Sequence, residues 1–161
     1  MTDRLKEVEE LENEAKPAEQ GSWDGFIQAA GVILAVSYPV LALSTGFRAI
    51  FRLFFKDGVT YYLPPAMSLA AALSYLIATL GIVYREKWGQ NAWWLSVSVL
   101  GFETLCTLIV GVFSYIEPDI VGNTVWRHFG ADYGYFPLIQ PLLGLAWLMN
   151  KDVRRAYGFK F

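Results

Sequence analysis

The residue with the clearest chemical potential in this chain is an acid, Glu103, in the middle of a long apolar segment. A charged carboxylate at the centre of a bilayer costs roughly 2.5–3.5 kcal/mol on insertion scales. The cost falls if the carboxyl is protonated, or if it faces the inside of a helix bundle and accepts hydrogen bonds. Other polar residues of the segment fall within about 40° of Glu103 on a helical wheel: Ser96, Thr107 and Ser114. The pattern predicts an inward-facing polar stripe.

Residues of three other apolar segments are predicted at the same depth as Glu103. Gln140 lies near the middle of its segment, and its amide can donate to a carboxylate or pair with a carboxylic acid. Tyr38 and Tyr75 lie near the middle of two further segments. We therefore predict a midplane polar layer in the membrane. Its candidate members are Glu103, Gln140, Thr107, Ser96, Tyr38 and Tyr75.

Two interpretations of this layer remain open. Glu103 could be a protonated or hydrogen-bonded acid that fixes helix register, since interhelical hydrogen bonds in membranes average about 0.6 kcal/mol. It could also bind or carry a proton or a cation, because intramembrane acids as a class favour function. Acids that couple transport usually come with a second ionisable group, and no other charged residue lies in a predicted span. The structural role is therefore the favoured interpretation.

A second candidate site is the aromatic loop over residues 117–132, which contains Trp126, Arg127 and His128 in succession. A histidine can sense pH or take part in acid–base chemistry with a nearby acid. A single histidine in an aromatic loop is more often a hydrogen-bonded structural residue. We predict that this loop caps the bundle or forms an outer contact with a lipid or a second protein.

The sequence excludes several classes of site. One cysteine, Cys106, and one histidine, His128, rule out an internal disulfide, a two-histidine haem and a multi-cysteine or multi-histidine metal site within the chain. No nucleophile-elbow, phosphate-loop, zinc-protease or dinucleotide motif occurs. No basic and aromatic surface of the kind that binds nucleic acid is indicated. We expect no enzymatic activity, no cofactor, no metal and no nucleic-acid partner.

The elements that must position these residues are predicted to be transmembrane helices. The chain has 161 residues, of which 55% are hydrophobic and 17% charged, against about 25% charged in an average soluble domain. The fold class is therefore all-α, a four-helix transmembrane domain over residues 25–150. An acidic, flexible tail (1–24) precedes it and a basic tail (151–161) follows it. The predicted spans are about 26–47, 61–84, 92–116 and 133–149.

Lysine and arginine positions predict the orientation of these spans. An even number of spans puts both termini on one side of the membrane. That side carries nine basic residues: Arg4, Lys6, Lys16, Arg85, Lys87, Lys151, Arg154, Arg155 and Lys160. The other side carries four: Arg48, Arg52, Lys56 and Arg127. The positive-inside rule then places both termini in the cytoplasm.

The run TVWRHFGADYGYFPLIQPLLGLAWL (residues 124–148) resembles the last span and preceding loop of small four-span integral membrane proteins of actinobacterial type. The resemblance implies a bacterial cytoplasmic (inner) membrane setting and carries over no catalytic residue.

Three functions remain open from the sequence. The favoured one is a non-enzymatic accessory or scaffolding subunit that packs in the bilayer against other membrane subunits or copies of itself. The alternative is a small oligomeric transporter or channel that uses Glu103 as a proton or cation site. A third class is a lipid-modifying enzyme that uses the loop over residues 117–136.

Overall fold

The regular structure of this chain is helical. The computed structural model describes residues 2–58 and 61–160, with side chains described from residue 25 onward. Its α-helices are α1 (Thr2–Ile50), α2 (Leu63–Val83), α3 (Arg85–Trp88), α4 (Gln90–Ile116), α5 (Pro118–Val121), α6 (Phe136–Met149) and α7 (Lys151–Ala156). The predicted all-α class is confirmed. The flexible tail predicted for residues 1–24 stays a prediction, because the side chains of these residues lie outside the described part of the chain.

Three helical segments are long and apolar enough to cross a membrane: Gly25–Phe55, Leu63–Val83 and Gln90–Ile116. In the first, α1 continues through a π-helical turn, Phe51–Phe55. At about 1.5 Å per residue, even the shortest of the three matches a hydrocarbon core of about 30 Å. These segments coincide with the first three predicted spans and indicate an integral membrane protein.

The distribution of polar residues supports the same conclusion. On α4, the buried face carries Ser96, Glu103 and Thr107, whereas Phe102 and Leu105 are at least half exposed. A helix of a soluble protein would turn its apolar face inward. An apolar perimeter around a polar interior is stable when the surroundings are lipid, since lipid cannot hydrogen-bond to polar side chains.

The helices of the bundle are antiparallel to their neighbours, as pairs of contacts at different heights show. Between α1 and α6, Trp147 Nε1 donates to Ile27 O (2.9 Å), and the Gln140 amide donates to the Ser37 hydroxyl. Between α4 and α6, Trp93 Nε1 donates to Leu148 O (2.8 Å) near one end of the bundle. Ile27 of α1 and the end of α6 therefore lie at the same end of the bundle.

The helix in the fourth predicted span is shorter than expected. The sequence predicted 133–149, whereas α6 covers Phe136–Met149, 14 residues or about 21 Å. Gly134 and Tyr135 are left-handed, with φ of 62° and 63°, and Pro137 occupies the first turn of α6. A left-handed pair cannot continue a right-handed helix, so α6 cannot begin earlier. Its 14 residues are too few to cross a bilayer.

The segment before α6 fills the space that a longer helix would occupy. We call residues 122–135 the packed loop. Val125 N donates to Ser68 Oγ of α2 (3.1 Å), and His128 N donates to Ser114 Oγ of α4 (2.9 Å). The packed loop therefore satisfies part of its backbone with helix hydroxyls, as non-helical backbone buried in a membrane protein must.

The packed loop contains a strained turn. His128, Phe129 and Gly130 are consecutive left-handed residues, with φ of 48°, 60° and 83°. A left-handed conformation costs a non-glycine residue roughly 1–2 kcal/mol, so surrounding contacts must impose it. One contact is the Phe129 ring over Gly111 of α4, where an added Cβ would lie 2.4 Å from the ring.

The C-terminal residues pack on the bundle instead of forming a free tail. Asn150 Oδ1 caps α7 by accepting from Asp152 N (2.8 Å). Tyr157 is fully buried, and its hydroxyl donates to Gly81 O at the end of α2 (3.3 Å). Burial raises the pKa of the Tyr157 hydroxyl to about 12, and the neighbouring Arg85 acts in the opposite direction.

The fold predicts a sharp contrast between two helical glycines. A Cβ at Gly144 of α6 would lie 2.0 Å from Tyr38 Oη and 2.8 Å from Leu100 Cδ1, whereas nothing lies within 4 Å of one at Gly101. We expect Gly144→Ala to lower the free energy of unfolding by about 1–3 kcal/mol through overpacking. Gly101→Ala, the matched control, should be neutral or stabilise by about 0.5–1 kcal/mol.

The measurement is reversible unfolding in detergent micelles, followed by circular dichroism and tryptophan fluorescence. Equal stability of the two variants would show that α6 does not approach α1 and α4 as closely as described.

Candidate functional site

Glu103 is the centre of the candidate site. It lies midway along α4 and has 0% of its surface exposed. Its Oε1 accepts a hydrogen bond of 2.9 Å from Trp126 Nε1 in the packed loop. Its Oε2 has no hydrogen-bond partner among the described residues. The acid is therefore bonded to a loop residue, not to a residue of a neighbouring span.

Two tyrosines close the other side of the site. Tyr75 of α2 lies next to the Glu103 carboxyl, but its hydroxyl forms no hydrogen bond of regular geometry with a described residue. The Tyr75 ring stacks on Tyr38 of α1, with centroids 5.7 Å apart and planes at 22°. The Tyr38 hydroxyl donates to Gln140 O of α6 (3.1 Å). The stack therefore links α1, α2 and α6 and lies beside Glu103 of α4.

The predicted contact between Gln140 and Glu103 is not formed. The Gln140 side-chain amide instead donates to the Ser37 hydroxyl in a short hydrogen bond. Gln140 therefore bonds to α1, whereas Glu103 bonds to the packed loop and lies beside α2. Both residues lie beside the stacked tyrosines, Gln140 next to Tyr38 and Glu103 next to Tyr75, but their side chains make different contacts. Their common depth in the membrane stays a prediction.

The remaining members of the predicted stripe hold helices together. Thr107 Oγ1 donates to the Glu103 backbone carbonyl (2.8 Å) and lies 3.3 Å from Pro137 O, at the start of α6. Ser96 is fully buried against Gly81 of α2, where a Cβ would lie 2.0 Å from Ser96 Oγ. Both residues lie where α4 approaches another helix closely.

The loop residues that were predicted as an outer contact occupy three different environments. Trp126 is 3% exposed and lies inside the bundle, so it cannot serve as a surface contact. Arg127 donates to Asn123 Oδ1 of the same loop (2.8 Å). The His128 ring lies against Tyr115, with centroids 4.6 Å apart. The structure thus joins Trp126 to Glu103, two residues that the sequence placed in separate sites.

Two arginines of α1 and its π-helical turn hold the outer edge of the packed loop. Arg48 Nη1 donates to Tyr133 Oη (2.7 Å), and Arg52 Nη1 donates to Asn123 O (3.2 Å). At the level of the sequence, these arginines served only to predict the orientation of the spans. Nothing in the residue types of Asn123 or Tyr133 marks them as partners, because the contacts span 71 and 85 positions.

The chemistry available at Glu103 is limited. Within the part of the chain that the structure describes, no three histidine, cysteine or acidic side chains come together as metal ligands. The carboxyl has an indole N–H on one oxygen and a phenol beside it, which suits a hydrogen-bonded link or the holding of one proton.

Comparison with known proteins adds no relative: no protein-family model, curated protein or solved structure matches the chain. The resemblance to small actinobacterial membrane proteins therefore stays a prediction.

The Trp126–Glu103 bond predicts the behaviour of three variants. Trp126→Phe removes the donor but keeps a ring, and we expect unfolding to become easier by about 1–3 kcal/mol because a buried acceptor is left unpaired. Glu103→Gln keeps an acceptor and should be nearly neutral. Glu103→Leu should destabilise like Trp126→Phe, and the double variant should lose less than the sum of both.

Trp94→Phe is the control, because Trp94 is an exposed tryptophan of α4, the helix that carries Glu103. Unfolding in micelles measures the energies, and amide hydrogen exchange across residues 122–135 reports the packed loop. If Trp126→Phe and Trp94→Phe behaved alike in both measurements, the bond would not hold the loop.

Proposed function

We propose that this chain is a non-enzymatic integral membrane subunit, an accessory or scaffolding component that assembles with other membrane subunits or with copies of itself. One observation carries the proposal: the only acid in the middle of the described bundle, Glu103, is fully buried and bonded to Trp126 of the same chain. Around it, Gln140 and Thr107 also bond to neighbouring elements of the chain. Polar side chains that bond to other elements of the same chain support a structural role.

We further propose four crossings with both termini in the cytoplasm of a bacterial cell. In this arrangement, α6 and the packed loop together make the fourth crossing, since the loop bonds to α2 and α4 on the side where α6 begins. The basic residues support the orientation, because α3, α7 and the last described residues collect at one end of the bundle.

Single-cysteine labelling tests this topology. In a Cys106→Ser background, we expect an impermeant maleimide to label Asp57→Cys on intact cells, because residue 57 follows the far end of α1. Lys151→Cys should react after the membrane is permeabilised but not before. Labelling of Lys151→Cys on intact cells would contradict the proposed orientation.

A second function has one observation in its favour. Glu103 Oε2 and Tyr75 Oη lie near each other, and both are buried without a regular hydrogen bond to a described residue. A buried pair of this kind can hold a proton or help to bind a cation. This supports the alternative of a small oligomeric transporter or channel.

The two functions predict opposite results for Glu103→Gln. A subunit should co-purify with a stoichiometric partner, or as a defined homo-oligomer, after extraction in mild detergent. Glu103→Gln should keep that assembly, because the Trp126 N–H retains its acceptor, and Glu103→Leu should weaken it. A transporter should move protons or cations in liposomes, and Glu103→Gln should abolish that flux while the protein stays folded. A monodisperse monomer without partner would overturn the subunit proposal.

A further inference from the structure

A cleft separates α1 from α6 on the side of the bundle that faces lipid. Its volume is about 540 Å³, and its lining is mainly apolar. The residues that form its walls include Ala30, Ile33, Leu34, Leu143, Ala146 and Trp147. The structure therefore leaves an apolar recess at the end of the bundle where α1 enters it and α6 leaves it.

The floor of the cleft is held in place. Trp147 Nε1 donates to Ile27 O (2.9 Å), which fixes the indole against α1. The indole can approach this closely because residue 31 is glycine, where a Cβ would lie 2.7 Å from Trp147 Cζ2. The floor of the recess is thus an indole that contacts the α1 backbone and is held there by a hydrogen bond.

A second pocket of about 230 Å³, with a lining of both polar and apolar residues, adjoins the apolar cleft. Ile27 and Trp147 line both spaces, and the second pocket adds Gln28, Arg85 and Asp152. The Asp152 carboxylate pairs with Arg155 at 3.0 Å. Among the described residues, no acid lies within ion-pair distance of Arg85, so this guanidinium can meet an external anion.

Among the residues whose side chains the structure describes, basic residues outnumber acids at this end of the bundle. Its described basic residues are Arg85, Lys87, Lys151, Arg154, Arg155 and Lys160, and its described acids are Glu86 and Asp152. Anionic lipid surfaces attract such a cluster with about 1 kcal/mol per basic residue. An apolar recess open to the bilayer, joined to a cationic pocket at its end, has the polarity pattern of a phospholipid.

We infer that this combined site binds an anionic phospholipid, with an acyl chain in the cleft between α1 and α6 and the phosphate at Arg85. The α1 wall of the cleft runs from residue 26 to residue 34, a rise of about 12 Å. That length lies within one leaflet, as an acyl chain does, whereas a partner helix would contact α1 across the full bilayer. The inference does not depend on the proposed subunit role.

The test is lipid binding to the full-length protein in detergent, measured by native mass spectrometry with phosphatidylglycerol and phosphatidylcholine as probes. We expect phosphatidylglycerol to bind more tightly. Arg85→Gln should weaken its binding about fivefold, as expected for loss of one basic contact. Lys87→Gln, at the same end but outside the pocket lining, is the matched control and should weaken binding less than Arg85→Gln does.

A second pair of variants tests the cleft. Ala146→Phe should fill it and reduce binding of both lipids, whereas Leu108→Phe on the lipid-facing side of α4 should not. Ile33→Trp provides an independent filling variant from the opposite wall. Thermal unfolding of each variant shows that it is folded before its affinity is compared.

Four results would overturn the inference. The first is equal binding by Arg85→Gln and Lys87→Gln, and the second is equal affinity for the two lipids. The third is full competition by glycerophosphoglycerol, which has the headgroup but no acyl chain and would identify a site for a soluble phosphate compound. Loss of a protein partner from both cleft-filling variants with unchanged lipid binding would assign the cleft to that partner instead.

Discussion

The hydrogen bond from Trp126 Nε1 to Glu103 Oε1 is the interaction on which the rest of the bundle depends. Both groups lie where water is excluded, and each would be left without a partner if the other were absent. The bond fixes the packed loop against the middle of α4. Because α6 begins directly after that loop, the depth at which α6 starts follows from the same contact.

This dependence explains how a 14-residue helix can occupy the fourth position of the bundle. The packed loop before α6 is not α-helical, and in lipid such backbone is stable only when protein surrounds it. Hydroxyls of α2 and α4, together with Arg48 and Arg52, supply partners for the packed loop. The left-handed conformations of His128 and Phe129 are tolerated because these contacts hold the loop in place. Gly111 contributes by leaving room for the Phe129 ring.

The sequence predicts the helices well and the site only in part, for a physical reason. Apolar runs are local, so α1, α2 and α4 follow from them closely, and the polar stripe identifies Glu103, Thr107 and Ser96 as buried. The partner of Glu103 is not local, since the path of the loop depends on positive φ angles at bulky residues, which no residue type predicts. Gln140 was predicted at the depth of Glu103, but depth does not determine the direction in which a short helix faces, and the Gln140 amide bonds to Ser37 instead.

The same geometry bears on the two roles considered for Glu103. Trp126 bonds to the carboxyl on one side, and Tyr75, stacked on Tyr38, lies beside it on the other. Because Glu103 is fully buried, a cation or hydrated proton can reach the acid only if a surrounding side chain, such as one of these rings, moves. Displacing Trp126 would release the packed loop and the start of α6, and displacing Tyr75 would break the stack that links α1 to α2. Access to Glu103 is thus coupled to loosening of the bundle, which favours a structural acid and requires any transport role to proceed through movement of the loop.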